Sequence, residues 1–94
     1  MTNKYQVVAT SIFKKDYKRL IKRNYNVAFL NEVVSKLQRG EKLSESNNDH
    51  ALTGNWKGYR ECHIQPDWLL IYKVYNDKLV LSLTRTGTHS DMGF

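Results

Sequence analysis

The run WLLIYKVY, residues 68 to 75, restricts the possible folds of this chain more than any other stretch. A strand with one face in water alternates apolar and polar side chains, but this run is apolar on both parities. It is therefore expected in the middle of a sheet, covered on both faces. Two further strand-like runs flank it, YRECHI at 59–64 and KLVLSLTR at 78–85. Pro66 with Asp67 turns the first run into the second, and Asn76 with Asp77 turns the second into the third.

Parity within the flanking runs divides their side chains between two faces. Cys62 and Ile64 share one parity, whereas Glu61, His63 and Gln65 share the other, so His63 is expected to point away from the core. In the third run Leu79, Leu81 and Leu83 are expected on the buried side. Arg85 has their parity but stands at the strand end, where its side chain can emerge at the rim.

The first half of the chain has a different period. KYQVVA at 4–9 is β-prone and leads to Thr10 and Ser11, either of which can cap a helix. Phe13, Tyr17, Leu20 and Ile21 then line one helical face, with Lys14, Lys15, Lys18, Arg19, Lys22 and Arg23 around the remainder. NYN at 24–26 breaks this pattern. Val27, Leu30, Val33, Val34 and Leu37 begin a second amphipathic helix that Gly40 can end. GEKLSESNNDH at 40–50 reads as an exposed loop of a length usually reserved for function. With 94 residues the chain has room for one core, so residues 1–94 are expected to form a single α+β domain.

Charge narrows the choice of partners without making it. The chain carries 15 Lys and Arg against 9 Asp and Glu, a net charge of +6. Such a body attracts phosphate chains, acidic proteins or anionic lipid surfaces. The single Cys62 excludes an internal disulfide and is expected as a small buried hydrophobe. MTNKYQVVATS lacks the apolar stretch of a signal peptide, and no segment approaches the ~20 apolar residues that span a bilayer. A cytoplasmic protein without a membrane association is expected.

Several short motifs occur together in one order: DH at 49–50, the GxWKGYR-like segment at 54–60, H-x-x-x-D-W at 63–68 and RTGTH at 85–89. In order and spacing they resemble the YafQ branch of the RelE/ParE toxin superfamily, and the helical hairpin before them has the matching length. The resemblance implies a RelE-like fold, with the helical hairpin packed on an antiparallel sheet. It also implies a metal-independent endoribonuclease site that cuts mRNA in the ribosome and needs no cofactor. The functional positions implied are His50, His63, Asp67, Trp68 and His89. A terminal aromatic belongs to the pattern, and here Phe94 lies five residues after His89, one more than is usual. A toxin of this kind further implies a small DinJ-like antitoxin in an oligomeric complex, with operator DNA bound only through the antitoxin.

The chemistry suits these residue types. RNA supplies its own nucleophile, the 2′-hydroxyl, so a nuclease needs a base for that proton, an acid for the leaving 5′-oxygen and positive charge for the phosphorane. Imidazole serves as either acid or base near neutral pH, and a carboxylate can hold a protonated partner. His63 and Asp67 flank a tight turn and can lie within reach of each other. The expected roles are Asp67 or His63 as base, His89 as acid and His50 as the residue that orients the phosphate. Arg85 can meet the phosphorane with a forked donor. Trp68 or Phe94 can stack on an unpaired base, and Lys57 and Arg60 are assigned to local phosphate contacts.

Plainer readings stand beside these. Trp68 and Tyr72 can equally be core, as aromatic residues of a central strand usually are, and Trp56 shares that ambiguity. The lysines and arginines from 14 to 23 can be a solvated face or a contact with ribosomal RNA. Three histidines and an aspartate can bind zinc, although the paired spacing of a zinc motif is missing. As a whole function, the alternative is a ParE-like toxin that binds DNA gyrase and cleaves nothing. A basic RNA-binding module without cleavage is the third reading.

Overall fold

Thr10 starts the first helix by accepting the Phe13 amide on its hydroxyl at 2.9 Å. In the computed structural model, which describes residues 3–93, this helix (α1, Ser11–Lys22) follows a strand β1 (Gln6–Ala9). Asn26 caps α2 (Val27–Gln38) through the Ala28 amide, and Gly40, at φ +76°, turns the chain out of it. The strands β2 (His50–Ala51), β3 (Arg60–Gln65), β4 (Trp68–Tyr75) and β5 (Val80–Gly87) come next, and a short helix α3 (His89–Met92) closes the described chain.

The five strands form one sheet in the order β1-β5-β4-β3-β2, with β4 in the centre as its two-sided apolar pattern requires. Strands β2 to β5 pair antiparallel, but β1 joins β5 in parallel, so the sheet as a whole is mixed. The reason is connectivity. β1 runs directly into α1 rather than into a hairpin, and reaches β5 only after the rest of the chain has crossed over.

Helices α1 and α2 cover one sheet face. Phe13 and Leu20 from α1 and Leu30, Val33 and Leu37 from α2 pack on Cys62, Trp68, Leu70, Tyr72, Leu81 and Leu83. Burial of this apolar surface is the main stabilising term, at roughly 25 cal/mol per Å². Leu69 and Ile71 point to the opposite face and are also fully buried. Their register neighbours there are His63 and Gly87 for Leu69, and Glu61 and Arg85 for Ile71.

Two details of β5 depart from the sequence reading. Leu79 is not on the buried side: it lies in the turn before the strand at φ +52° and is 48% exposed. Farther along, Leu83 pairs with Tyr72 and Arg85 with Ile71, which leaves Thr84 as an extra residue. This bulge reverses the parity. Thr86, rather than Arg85, continues the buried side after Leu83, and Arg85 turns to the face of Glu61 and His63. The loop at 40–50 is also more ordered than its composition suggests, with Leu43 buried, a helical turn at Glu45–Asn47 and His50 already in β2.

Candidate active site

The sheet face away from α1 and α2 gathers the three histidines. Pairing of β2 with β3 sets His50 opposite Glu61. His50 Nδ1 donates to the Asn48 carbonyl at 2.7 Å, while its Nε2 lies 3.5 Å from Glu61 Oε1. The same carboxylate oxygen lies 3.9 Å from His63 Nε2. Glu61 thus links two imidazoles, and it does so while only 8% exposed. His63 points away from the core, as strand parity requires. Its carbonyl accepts the Asn47 side-chain amide at 2.8 Å, which fastens the preceding loop to β3.

His89 reaches the same place from the other end of the chain. It is the first residue of α3, whose N-cap Thr88 accepts the Asp91 amide while the Asp91 side chain accepts the Thr88 amide. His89 Nδ1 donates to Asp67 Oδ1 at 2.7 Å, and the His89 amide points at the same oxygen at 3.4 Å. These two bonds, the ring contact foremost, hold the Asp67 carboxyl below the usual carboxylate range. The His63 and His89 rings meet edge to face with centroids 6.1 Å apart. The β3–β4 turn therefore hands Asp67 to His89, where sequence proximity suggested His63.

Other expected contacts lie elsewhere. Trp68 is 1% exposed on the helix side, edge-on to Tyr25 at 5.1 Å, with its Nε1–H donated to Thr86 Oγ1. It is a core residue in this structure and presents no face to a base. Arg60 has the parity of Cys62, so it too lies on the far side of the sheet, where its Nε donates to Asp49 beside the Tyr72 hydroxyl. It does not adjoin the histidines. Lys57 is exposed in the turn after Gly54–Trp56, and Trp56 packs edge-on to Tyr59. Arg85 turns toward the histidine face but commits Nε and Nη2 to Asp16 of α1 at 3.0 and 3.1 Å. Phe94 lies outside the described residues. Cys62 is fully buried, and burial first of all pushes its thiol up to about 12. Among the described residues, no three His, Cys, Asp or Glu side chains converge as metal ligands.

A family model described as the bacterial toxin YafQ of type II toxin-antitoxin systems matches residues 5–93, nearly the whole chain. The chain belongs to the YafQ toxin family. It is 43% identical over 79 residues to the mRNA interferase toxin YafQ of Escherichia coli, an alignment that covers 83% of this chain and 84% of that protein. In the crystal structure of the E. coli DinJ-YafQ toxin-antitoxin complex, a chain superposes with a TM-score of 0.86 at 34% identity, covering 95% of this chain and 97% of that one. A metal-bound toxin from Helicobacter pylori superposes with a TM-score of 0.88 at 35% identity, covering 94% and 98%.

For this YafQ-family chain, the sequence motifs single out His50, His63, Asp67 and His89 but not three acids bonded to them or to the segment around Arg85 and Thr88. Glu61 had a signal, since it shares the parity of His63 two residues away. Asp16 had one too, for it stands three residues after Phe13 and four before Leu20 on the apolar face of α1, where it is 1% exposed and gripped by Arg85 and the Thr86 amide. Asp91 follows RTGTH as an ordinary polar residue, yet it also binds Arg23 of α1 at 2.9 Å.

Proposed function

We propose that this chain is the toxin of a type II toxin-antitoxin pair that cleaves mRNA in the ribosome without a metal, by acid-base chemistry at His50, His63, Asp67 and His89. The observation that carries this reading is the Asp67–His89 bond at 2.7 Å with the His63 ring edge-on beside it. It places two imidazoles together, one with its tautomer set by a carboxylate. The name of the E. coli relative, an mRNA interferase, agrees with this chemistry.

In the proposed reaction the RNA 2′-oxygen attacks the adjacent phosphorus and the bond from phosphorus to the 5′-oxygen breaks. His63 takes the 2′-proton, with Glu61 behind its Nε2 to orient it. His89 gives up its Nε2 proton to the 5′-oxygen. Asp67 is the weaker choice for base, because a carboxyl held below its usual range binds a proton poorly and is occupied with His89 Nδ1. His50, fixed by Asn48 and Glu61, orients the phosphate. The products are a 2′,3′-cyclic phosphate and a 5′-hydroxyl. The cognate antitoxin is proposed to be DinJ-like, an inference from the E. coli complex and from the basic surface of this chain.

Induced expression with mapping of mRNA 5′ ends tests this, alongside purified protein on programmed ribosomes with and without EDTA. Wild type should create new 5′-hydroxyl ends whether or not EDTA is present. A His63→Ala, His89→Ala double variant should cut at least ~10²-fold more slowly, the lower range for acid-base groups. Intact mRNA with inhibited gyrase supercoiling would overturn the reading in favour of a protein-binding toxin.

A further inference from the structure

The helix that carries His89 is four residues long, far too short to persist through its own hydrogen bonds. Asp91 supplies what it lacks. Its carboxylate accepts the Thr88 amide at 3.0 Å, and Thr88 Oγ1 accepts the Asp91 amide at 3.2 Å. The same carboxylate meets Nη1 of Arg23, the C-cap residue of α1, at 2.9 and 3.2 Å, with Nη1 of Arg19 at 3.8 Å. The Asp91 side chain is one-tenth exposed, against 43% for Arg23. Burial pushes its carboxyl upward, but Arg23 and the two bonds with Thr88 outweigh this and bring it to about 2. On its other side Asp91 lies against Gly87, where an added Cβ would meet Oδ2 at 2.9 Å.

We infer that Asp91, anchored by Arg23, is the positioning residue for His89: it fixes α3 so that His89 Nδ1 stays on Asp67 with its ring beside His63. This rests on the reading of His89 as proton donor. The pair touches neither the reacting atoms nor any residue assigned to them, and it ties the site to a helix on the other side of the sheet. Loss of the anchor lets a four-residue helix fray, and His89 then leaves the geometry its proton transfer needs.

Four variants test the inference: Asp91→Asn, Asp91→Glu, Arg23→Ala and the double Asp91→Asn, Arg23→Ala. Asn keeps the shape and loses the charge, whereas Glu is the usual acid at this position of a capping box. On programmed ribosomes, Asp91→Asn should lower kcat about tenfold or more with KM within twofold, and Asp91→Glu should restore most of it. Arg23→Ala should fall in the same direction, and the double variant should be no worse than the poorer single. Nitrogen NMR of the imidazoles in the free protein gives a readout independent of cleavage: wild type should show His89 protonated at Nδ1, and Asp91→Asn a mixture of tautomers. A raised KM at unchanged kcat would overturn the inference, because Asp91 would then contact RNA. Wild-type kcat and an unchanged His89 spectrum in Asp91→Asn would also overturn it. If wild type itself does not cut mRNA, the proposed function fails and the spectrum alone decides the positioning role. Should Asp91→Asn not fold, Arg23→Ala carries the test from an exposed side chain.

Discussion

Asp67 receives two bonds from one residue, the ring and the amide of His89, and its carboxyl is held below the usual carboxylate range. A group with a depressed pKa is anionic throughout the working range of an enzyme near neutral pH, so it cannot produce a change of rate there. Any rise of rate with pH between about 5 and 8 must come from an imidazole, whose reference pKa is ~6.5. Asp67→Asn should therefore cut mRNA more slowly by roughly tenfold or more, since the charge behind His89 is gone, yet keep the wild-type acid limb. A pH-rate profile of the variant on programmed ribosomes checks this, and disappearance of the acid limb would make Asp67 the base. At this scale the sequence was informative about residue type and poor about partners. The motifs picked out Asp67, but only the fold shows that its neighbour in space is His89 rather than His63. Trp68 stands next to it in the same motif and faces the opposite side of the sheet, as strand alternation dictates. Arg60 likewise follows the parity of Cys62 to Asp49 and away from the histidines.

Among the elements, the end of β5 joins the sheet to the site. The bulge at Thr84 turns Arg85 to the histidine face, and Gly87, at φ +151°, then leads into Thr88 and α3. Gly87→Ala is strained in two ways, because a side chain disfavours that φ and its Cβ would lie 2.9 Å from Asp91 Oδ2. The substitution should lower stability by about 1–2 kcal/mol, read from urea unfolding. Cleavage should fall further than that loss explains, since Asp91 must move and α3 with it. A fully active Gly87→Ala protein would show that α3 tolerates the displacement. The elements with long periodic patterns were legible in advance: α1, α2, and β4 at the sheet centre. The bulge was not, because a single extra residue leaves no mark in an alternating pattern until the register with β4 is known. The parallel pairing of β1 was equally hidden, since Gln6–Ala9 reads as a strand without naming a neighbour. Helix α3 is too short for any period to show.

Across the whole molecule, carboxylates are scarce and each described one at these junctions ties separate elements together. Asp16 holds α1 to β5 through Arg85, Asp91 holds α3 to α1 through Arg23, and Asp49 holds the loop before β2 to β3 and β4 through Arg60 and Tyr72. With 15 Lys and Arg against 9 Asp and Glu, protonating these acids cuts ties and adds net positive charge together. Asp91 gives the effect a sign and a window. Its folded value of about 2 lies below the unfolded value near ~3.9, so its contribution is complete above about pH 4. That contribution fades as pH falls toward about 2, because the folded state must then give up an interaction the unfolded chain never had. Urea unfolding at a series of pH values should show wild type losing stability steeply across this window. Asp91→Asn should be less stable at pH 7, lose less between pH 4 and 2, and converge on wild type at the acid end. Added salt should restore part of the stability of both at pH 2, by screening repulsion among the crowded cations of α1. Parallel curves for the two proteins over the whole range would mean that Asp91 is not held in its charged form by Arg23, and the link from α1 to His89 would lose its electrostatic basis.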